Sequence, residues 1–376
     1  MNGRVVVVGG GFGALEVALA IKTVDGRIQV TVVSEETVIV YRPWLIRVPA
    51  GRARPPVIPF ARLLARAGVE VIVGRAATAD LTRGRLLLDS GREVEFEQLV
   101  VATGAAADLD RVPGAREHAL FPCDLDDAAA FTARVEAGSA EVAVVFGWER
   151  PGPGLEYAAW IAAHRRGVRV TAIDGDGTLE RRFGAKATAW LERLFASRGA
   201  RLVSQGPVER ISDGLVELAG RSVAADLIAL ASPLRGNTDW LPAELVDPVA
   251  RLCVDETMAA VAGIFGIGDV VAVPDDYRLP PTLHSIQATA RGVARNVARA
   301  LRGEAAQAVL RPGRPDMLMP DLAGVALMVR DRRLLMGGRL PLLIRSMSDR
   351  RYLRSRNAQA GSPTLVDSDR SRGQRP

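Results

Sequence analysis

The sequence predicts an α/β chain built from two parallel-sheet units, followed by a small mixed α+β segment. Three observations carry that expectation. Residues 4–8, 29–33, 141–146 and 168–174 are short, β-branched and apolar, as strands covered on both faces must be. Two of these runs, 4–8 and 141–146, lead straight into glycine and then into apolar residues at helical spacing. A further helical stretch, about 282–301, lies far downstream, where the chain can return to close the first unit.

At 376 residues the chain exceeds one ordinary domain. Apolar residues make up 48% and charged residues 24%, enough for a large core in a globular protein. The formal charge of +6 comes almost wholly from arginine, since only Lys22 and Lys186 are lysines. No nucleic-acid motif accompanies that charge, so no nucleic-acid partner is expected. Cys123 and Cys253 form no Cys-x-x-Cys pair, which argues against a disulfide framework and fits a reducing cytosol. No run reaches the ~18 apolar residues of a membrane span, and the N-terminus enters a strand without a signal-peptide pattern. The expected location is cytoplasmic, at most peripheral on the inner face of the cell membrane.

The first junction reads strand, Gly9-Gly10-Gly11-Phe12-Gly13-Ala14, helix. Gly9 permits the tight turn, Gly11 lets the backbone approach a pyrophosphate, and Ala14 keeps helix and strand close. The helix N-terminus then offers free N–H groups and a favourable dipole to phosphates. The second strand ends in Ser34-Glu35-Glu36, about 20 residues after the glycines, where ribose hydroxyls are held.

Three further segments appear in the order found in the two-dinucleotide-binding-domain flavoproteins, the pyridine nucleotide–disulfide oxidoreductase superfamily. Residues 93–104 resemble that family's strand into the turn Ala102-Thr103-Gly104. Residues 263–269 resemble its late Gly-Asp motif, at Gly268-Asp269, and Thr282 opens the helix that such proteins direct at the flavin ring. The stretch from Tyr41-Arg42-Pro43-Trp44 to Gly51 resembles type II NADH dehydrogenases and sulfide:quinone reductases. This resemblance implies FAD as the cofactor, held by Gly9, Gly11, Phe12, Gly13, Ala14, Ser34, Glu35, Arg42, Ala76, Ala102, Thr103, Gly104, Gly268 and Asp269. It implies a discontinuous FAD domain, 1–112 and 253–302, around an NAD(P)-binding-like domain, 113–252.

The second junction runs from Gly147 to Gly154-Leu155-Glu156, which matches the family's G-x-E helix opening, and Asp174 ends the next strand where a ribose-binding acid is expected. Gly147, Gly154, Glu156 and Asp174 are therefore the expected contacts for NAD(P)H. An acid at 174 favours NADH by repelling a 2′-phosphate, whereas Arg181 and Arg182 weaken that preference. The turn is two residues longer than usual and carries Trp148, Pro151 and Pro153. Prolines offer no N–H to a phosphate.

Cys123 lies in a segment resembling that of a non-paired cysteine in sulfide:quinone reductases, while the family's working cysteine pair has no counterpart. Cys253 is read as a small hydrophobe in a core strand. His164 reads as a helix-end residue and His284 as a helix-surface one, and no cluster has metal-ligand spacing. In segment 303–354, two short strands around the charged turn 330–333 precede apolar residues alternating with arginines up to Arg354. Two readings of that end stand: an amphipathic anchor on an anionic membrane, or a capping helix or homodimer contact. Residues 355–376 read as a disordered tail.

The reading as a whole is an FAD-dependent enzyme that passes electrons from a small-molecule donor, NAD(P)H, to a small-molecule acceptor such as a quinone. The alternatives are a sulfide- or thiol-oxidising flavoprotein and a non-catalytic flavin- or nucleotide-binding protein.

Overall fold

The computed structural model describes residues 3–48, 55–138, 140–148, 151–177, 179–204, 206–277, 279–280, 282–311 and 317–361. The end of the 41–51 stretch, at 49–51, and the tail beyond 361 lie outside the described residues. In chain order the first elements are Arg4–Val8 (β1), Phe12–Val24 (α1), Gln29–Ser34 (β2), Glu70–Val73 (β3) and Gln98–Val101 (β4). A second series follows: Glu141–Phe146 (β5), Pro151–His164 (α2), Arg169–Asp174 (β6), Leu179–Phe183 (α3), Ala185–Ala196 (α4), Arg201–Val203 (β7) and Leu227–Leu230 (β8). The chain then adds Ala259–Val261 (β9), Ile264–Gly266 (β10) and Leu283–Ala300 (α5). It ends in a hairpin, Ala326–Arg330 (β11) and Arg333–Gly338 (β12), and the helix Arg339–Ala360 (α6).

The two largest sheets have strand orders β9-β10-β4-β1-β2-β3 and β7-β6-β5-β8, and the β11–β12 hairpin lies in a separate one. Within the two largest, all neighbours are parallel except the β9–β10 pair. Central position explains the valine run. In β1, Val7 pairs with Val32 on one side and Val100 on the other, and Val5 through Val8 are all buried. Strand β10 joins this sheet beside β4, although the whole second sheet lies between them in sequence. Helix α5 then packs along α1. The two units are linked by Ala105–Ala107 running antiparallel to Leu234–Gly236. Beside that crossing, Thr103 Oγ1 donates to Asn237 O (2.7 Å) and Asn237 Nδ2 donates to Thr103 O (3.0 Å).

Pro151 and Pro153 lie in the first turn of α2, where a missing N–H costs nothing because those donors have no helical partner. The helix therefore begins before Gly154, which sits inside it. A Cβ at Gly154 would overlap Phe146 Cβ and stand 3.2 Å from Ala231 Cβ, so this glycine serves the close approach of α2 to β5.

The last helix departs most from expectation. Residues 355–360, read as the start of a disordered tail, continue α6. Its buried contacts explain why. Arg345 pairs with Glu156 of α2, Asp349 Oδ1 accepts from Tyr41 OH (2.8 Å), and Tyr352 OH donates to Glu16 Oε1 (2.8 Å). Arg356 Nη2 bonds both oxygens of Glu16, at 2.7 and 2.5 Å. Positions 345, 349, 352 and 356 recur at helical spacing and so share one face. Leu353 is fully buried beside them in the core of the first unit. In return, Leu45 and Ile46 from the first unit enter the core of the second.

Burial pushes the Glu156 carboxyl above the ordinary range, against the pull of Arg345. Burial likewise depresses the Arg345 guanidinium, but Glu156 and Asp349 more than restore it, so its charge is secure. Removing one partner of such a pair strands the other in the interior. Arg345→Ala is expected to cost about 3–5 kcal/mol in urea denaturation, and Glu156→Gln combined with Arg345→Met to recover most of that loss.

Candidate active site between the two units

The first turn is built as a cradle. Gly9 has φ +134°, and a Cβ there would overlap the Ala102 carbonyl, so β1 and β4 close tightly around it. Gly13 is held against Ile267 O, 3.2 Å from where its Cβ would stand. Gly11, between them, faces nothing within 4 Å. Open space thus lies at the N-terminus of α1, whose first N–H groups are free to face a phosphate. Ala14 is fully buried against the sheet. Gly104 also faces open space, with φ +68°. These features fit a dinucleotide.

Other expected contacts are placed differently. Ser34 is buried, and its hydroxyl accepts from Glu36 N (3.0 Å) and donates to Glu36 O (2.8 Å). It holds the turn after β2, where a Cβ on Gly10 would strike it. Glu35 beside it is exposed, as is Arg42, and Ala76 is half-buried. Phe12 enters an aromatic cluster, edge-on to Tyr41 at 5.7 Å and to Tyr352 at 5.9 Å.

A cavity of about 530 Å³ opens between the units. Gly268, Asp269 and Ala105 line it from the first unit, and Thr282 and Ser285 from the start of α5. Thr282 caps that helix by accepting from Ser285 N at 3.2 Å. From the other side come Arg181 and Arg182 of α3 and Arg332 of the β11–β12 turn. Five arginines and two aspartates line the cavity in all, so it is electropositive. Arg235 and Arg251 are partly balanced by Asp239 (2.6 Å) and Asp247 (2.8 Å).

The second unit keeps the strand–glycine–helix form but commits its expected contacts internally. Gly147 has φ +128°, and a Cβ there would lie 2.7 Å from Asp176 Oδ1 and 2.8 Å from Asp174 Oδ1. Asp174 is fully buried, and its Oδ2 accepts from Leu179 N (2.8 Å). One oxygen of the acid that ends β6 thus holds the start of α3. Glu156 is likewise tied to Arg345 and accepts from Asp321 N (2.7 Å).

Cys253 does not fill a core: it lies on a two-residue strand with its side chain exposed. Neighbouring Leu252 takes the buried side, as strand alternation requires. Cys123 is half-buried, with Sγ 3.9 Å from Ala231 O. His164 ends α2, stacked on Trp160 at 4.7 Å, and His284 is exposed on α5.

Sequence reading missed Glu16, Tyr41, Asp349 and Arg356, which gather around the first turn. An acid in the middle of the apolar run 14–21 was the available signal for Glu16.

Two strand-turn-helix units facing one cavity define the class of folds built from two dinucleotide-binding-type units. The chain belongs to the pyridine nucleotide-disulphide oxidoreductase family, whose profile matches residues 3–293. By class it is an enzyme, an oxidoreductase. It is 28% identical over 300 residues to peroxisomal monodehydroascorbate reductase 2 of Oryza sativa subsp. japonica, a match spanning 72% of this chain and 62% of that one. It is 23% identical over 369 residues to sulfide-quinone reductase of Aquifex aeolicus, covering 87% of this chain and 81% of that one. The solved sulfide:quinone oxidoreductase from Aquifex aeolicus shares the fold, with TM-score 0.82 at 20% identity over 98% of this chain and 94% of that one.

The two glycines of the first turn separate folding from binding. Gly9→Ala is expected to destabilise the fold by about 1–3 kcal/mol, because it strains the backbone and strikes Ala102. Gly11→Val is expected to leave thermal stability of the flavin-free protein nearly unchanged while flavin retention after purification is lost.

Proposed function

We propose that this chain binds FAD in its first unit and passes electrons from NAD(P)H to a quinone-type acceptor. The observation that carries the proposal is the open space at Gly11, at the start of α1; Gly13 of the same turn packs on Ile267, next to Gly268 of the inter-unit cavity. Gly9, Gly11, Gly13 and Ala14 would hold the pyrophosphate, Glu35 the ribose, and Asp269 the ribityl side, with Ala102, Thr103 and Gly104 flanking. Bound there, FAD would supply the two-electron redox chemistry of the reaction.

The chain's own contribution is placement and charge. The N-terminus of α5 directs its positive end at the cavity, where it stabilises negative charge on whatever occupies it. Arg181, Arg182 and Arg332 add to that field, and it attracts anionic donors. Val271, Leu279 and Ile286 line the same cavity with apolar surface, which reduces water access and strengthens the electrostatics. Support for a quinone comes from the likeness to sulfide-quinone reductase over most of both chains. We assign 1–112 with 253–302 to the FAD domain and 113–252 to the second domain, a division supported by the return of β9 and β10 to the first sheet.

The outer face of the C-terminal segment supports membrane contact, and 303–354 is the segment we assign to it. Among the described residues no helix is long and apolar enough to cross a membrane. Yet Leu335, Leu340, Leu343 and Met347 are each at least half exposed, and Arg339, Arg350 and Arg351 are exposed around them. Apolar side chains ringed by cations suit an anionic lipid surface. Peripheral attachment would also bring the enzyme to a lipid-soluble acceptor.

Purified protein is expected to show a flavin absorption band that bleaches on anaerobic addition of NADH or NADPH and returns on adding a soluble quinone. A band that persists after both nucleotides removes NAD(P)H as donor. Absence of flavin even after reconstitution with FAD overturns the cofactor. Separately, Leu343→Asp with Met347→Asp is expected to weaken sedimentation with phosphatidylglycerol vesicles by at least about tenfold, given the apolar burial lost. Vesicle binding unchanged by that pair overturns the membrane assignment.

A further inference from the structure

A dinucleotide on a strand-turn-helix unit lies across the carboxyl ends of the first two strands, with its adenosine ribose beside the residue that ends the second. In the second unit those strands are β5 and β6, and the place just beyond Asp174 is Gly175. A side chain of the protein already occupies it. The ring of Trp148 lies on Gly175 so closely that a Cβ there would stand 2.7 Å from Cζ3 and 3.1 Å from Cζ2. The ring also packs against the core beneath the sheet, which includes Val145 and Ile173.

Trp148 reaches this position at a cost. Its φ is +49°, in the left-handed region that bulky residues avoid, at about 1–3 kcal/mol. The turn is held by its carbonyls: Arg182 Nη1 donates to Trp148 O (3.1 Å) and Ser232 Oγ donates to Gly147 O (3.0 Å). The indole is thus placed by backbone anchors and by contact with a bare glycine surface. A strained residue whose ring covers the cofactor side of a turn points to a functional role rather than to packing alone.

We infer that Trp148 is an occluding residue of the second unit: its indole fills the adenosine place and must leave before a nicotinamide dinucleotide can be seated there. The inference rests on the proposed function, since it concerns the donor assigned above. Indole and adenine are flat aromatic systems of similar size, and both bury a face against the same Gly175 surface, so they exclude one another. Donor binding then costs the free energy of displacing the ring, and the protein binds its donor more weakly than an open unit would. A glycine at 148 would accept the same φ without strain, so the ring can be removed without disturbing the turn.

The test is calorimetric titration of the FAD-loaded wild-type protein and the Trp148→Gly variant with NADH, NADPH and ADP-ribose, the last a probe lacking nicotinamide. Dissociation constants for all three are expected to fall at least about tenfold in the variant, with Trp148→Phe staying near wild type. Unchanged or weaker binding in the variant overturns the inference while leaving the donor in place, and weaker binding marks the indole as a stacking platform. If neither protein binds any of the three, the donor assignment fails and the inference fails with it.

Discussion

The docking of α6 beside the first turn depends on one buried ion pair, Glu16 with Arg356. Glu16 lies on α1 two residues after Ala14, with its carboxylate inside the protein, and Arg356 comes from the far end of the chain to meet it. A buried carboxylate without a partner is too costly to keep charged, so the position of α1 and the docking of α6 are coupled. Tyr352 adds a second bond to the same carboxylate, and its ring joins Phe12 and Tyr41. The C-terminal helix therefore reaches the turn that we assign to the flavin pyrophosphate. Burial and the Glu16 carboxylate keep the Tyr352 phenol protonated well beyond the ordinary tyrosine range, so it remains a donor.

The same helix also binds the second unit through Arg345 and Glu156. One face of α6 is thus a continuous seam of polar contacts spanning both units, and the opposite face leaves Leu343 and Met347 in solvent. Arginine is suited to the seam because its planar guanidinium makes several directed bonds at once. Arg345 bonds Met319 O as well as Glu156, and Arg356 grips both oxygens of Glu16. The arginine-rich C-terminus accordingly divides its labour, with two side chains turned inward to fix the fold and others left on the outer face.

The two units share one plan but treat it differently. The first leaves its central glycine facing open space and its turn unobstructed. The second draws its turn tight against β6, buries the acid that ends that strand, and covers the following glycine with an indole. The cavity lies between them, apolar around Val271, Val273 and Leu279 and cationic along α3 and the β11–β12 turn. Its wall combines residues more than 150 positions apart, such as Ala105 and Arg332, which only the docked C-terminal hairpin brings into register.

Local chemistry made much of this legible in advance. Valine runs covered on both faces, glycines required by a tight turn, and a threonine able to cap α5 are each set by short-range sterics and hydrogen bonding, so β1, the Gly9–Ala14 turn and the start of α5 follow from a few adjacent residues. The extent of α6 did not, because local composition at 355–360 is polar and its order comes from partners over 300 positions away, Glu16 for Arg356 and Tyr41 for Asp349. The internal contacts of Glu156 and Asp174 were hidden for the same reason: the folded neighbours of a carboxylate decide which protein donors it meets. Strand alternation likewise turned Cys253 outward where its apolar surroundings in sequence suggested a core. Sequence alone therefore determined the α/β class, the two strand-turn-helix units and the family. Tertiary structure decided which polar side chains remain available for chemistry, because desolvation and pairing are properties of the folded neighbourhood and not of the residue.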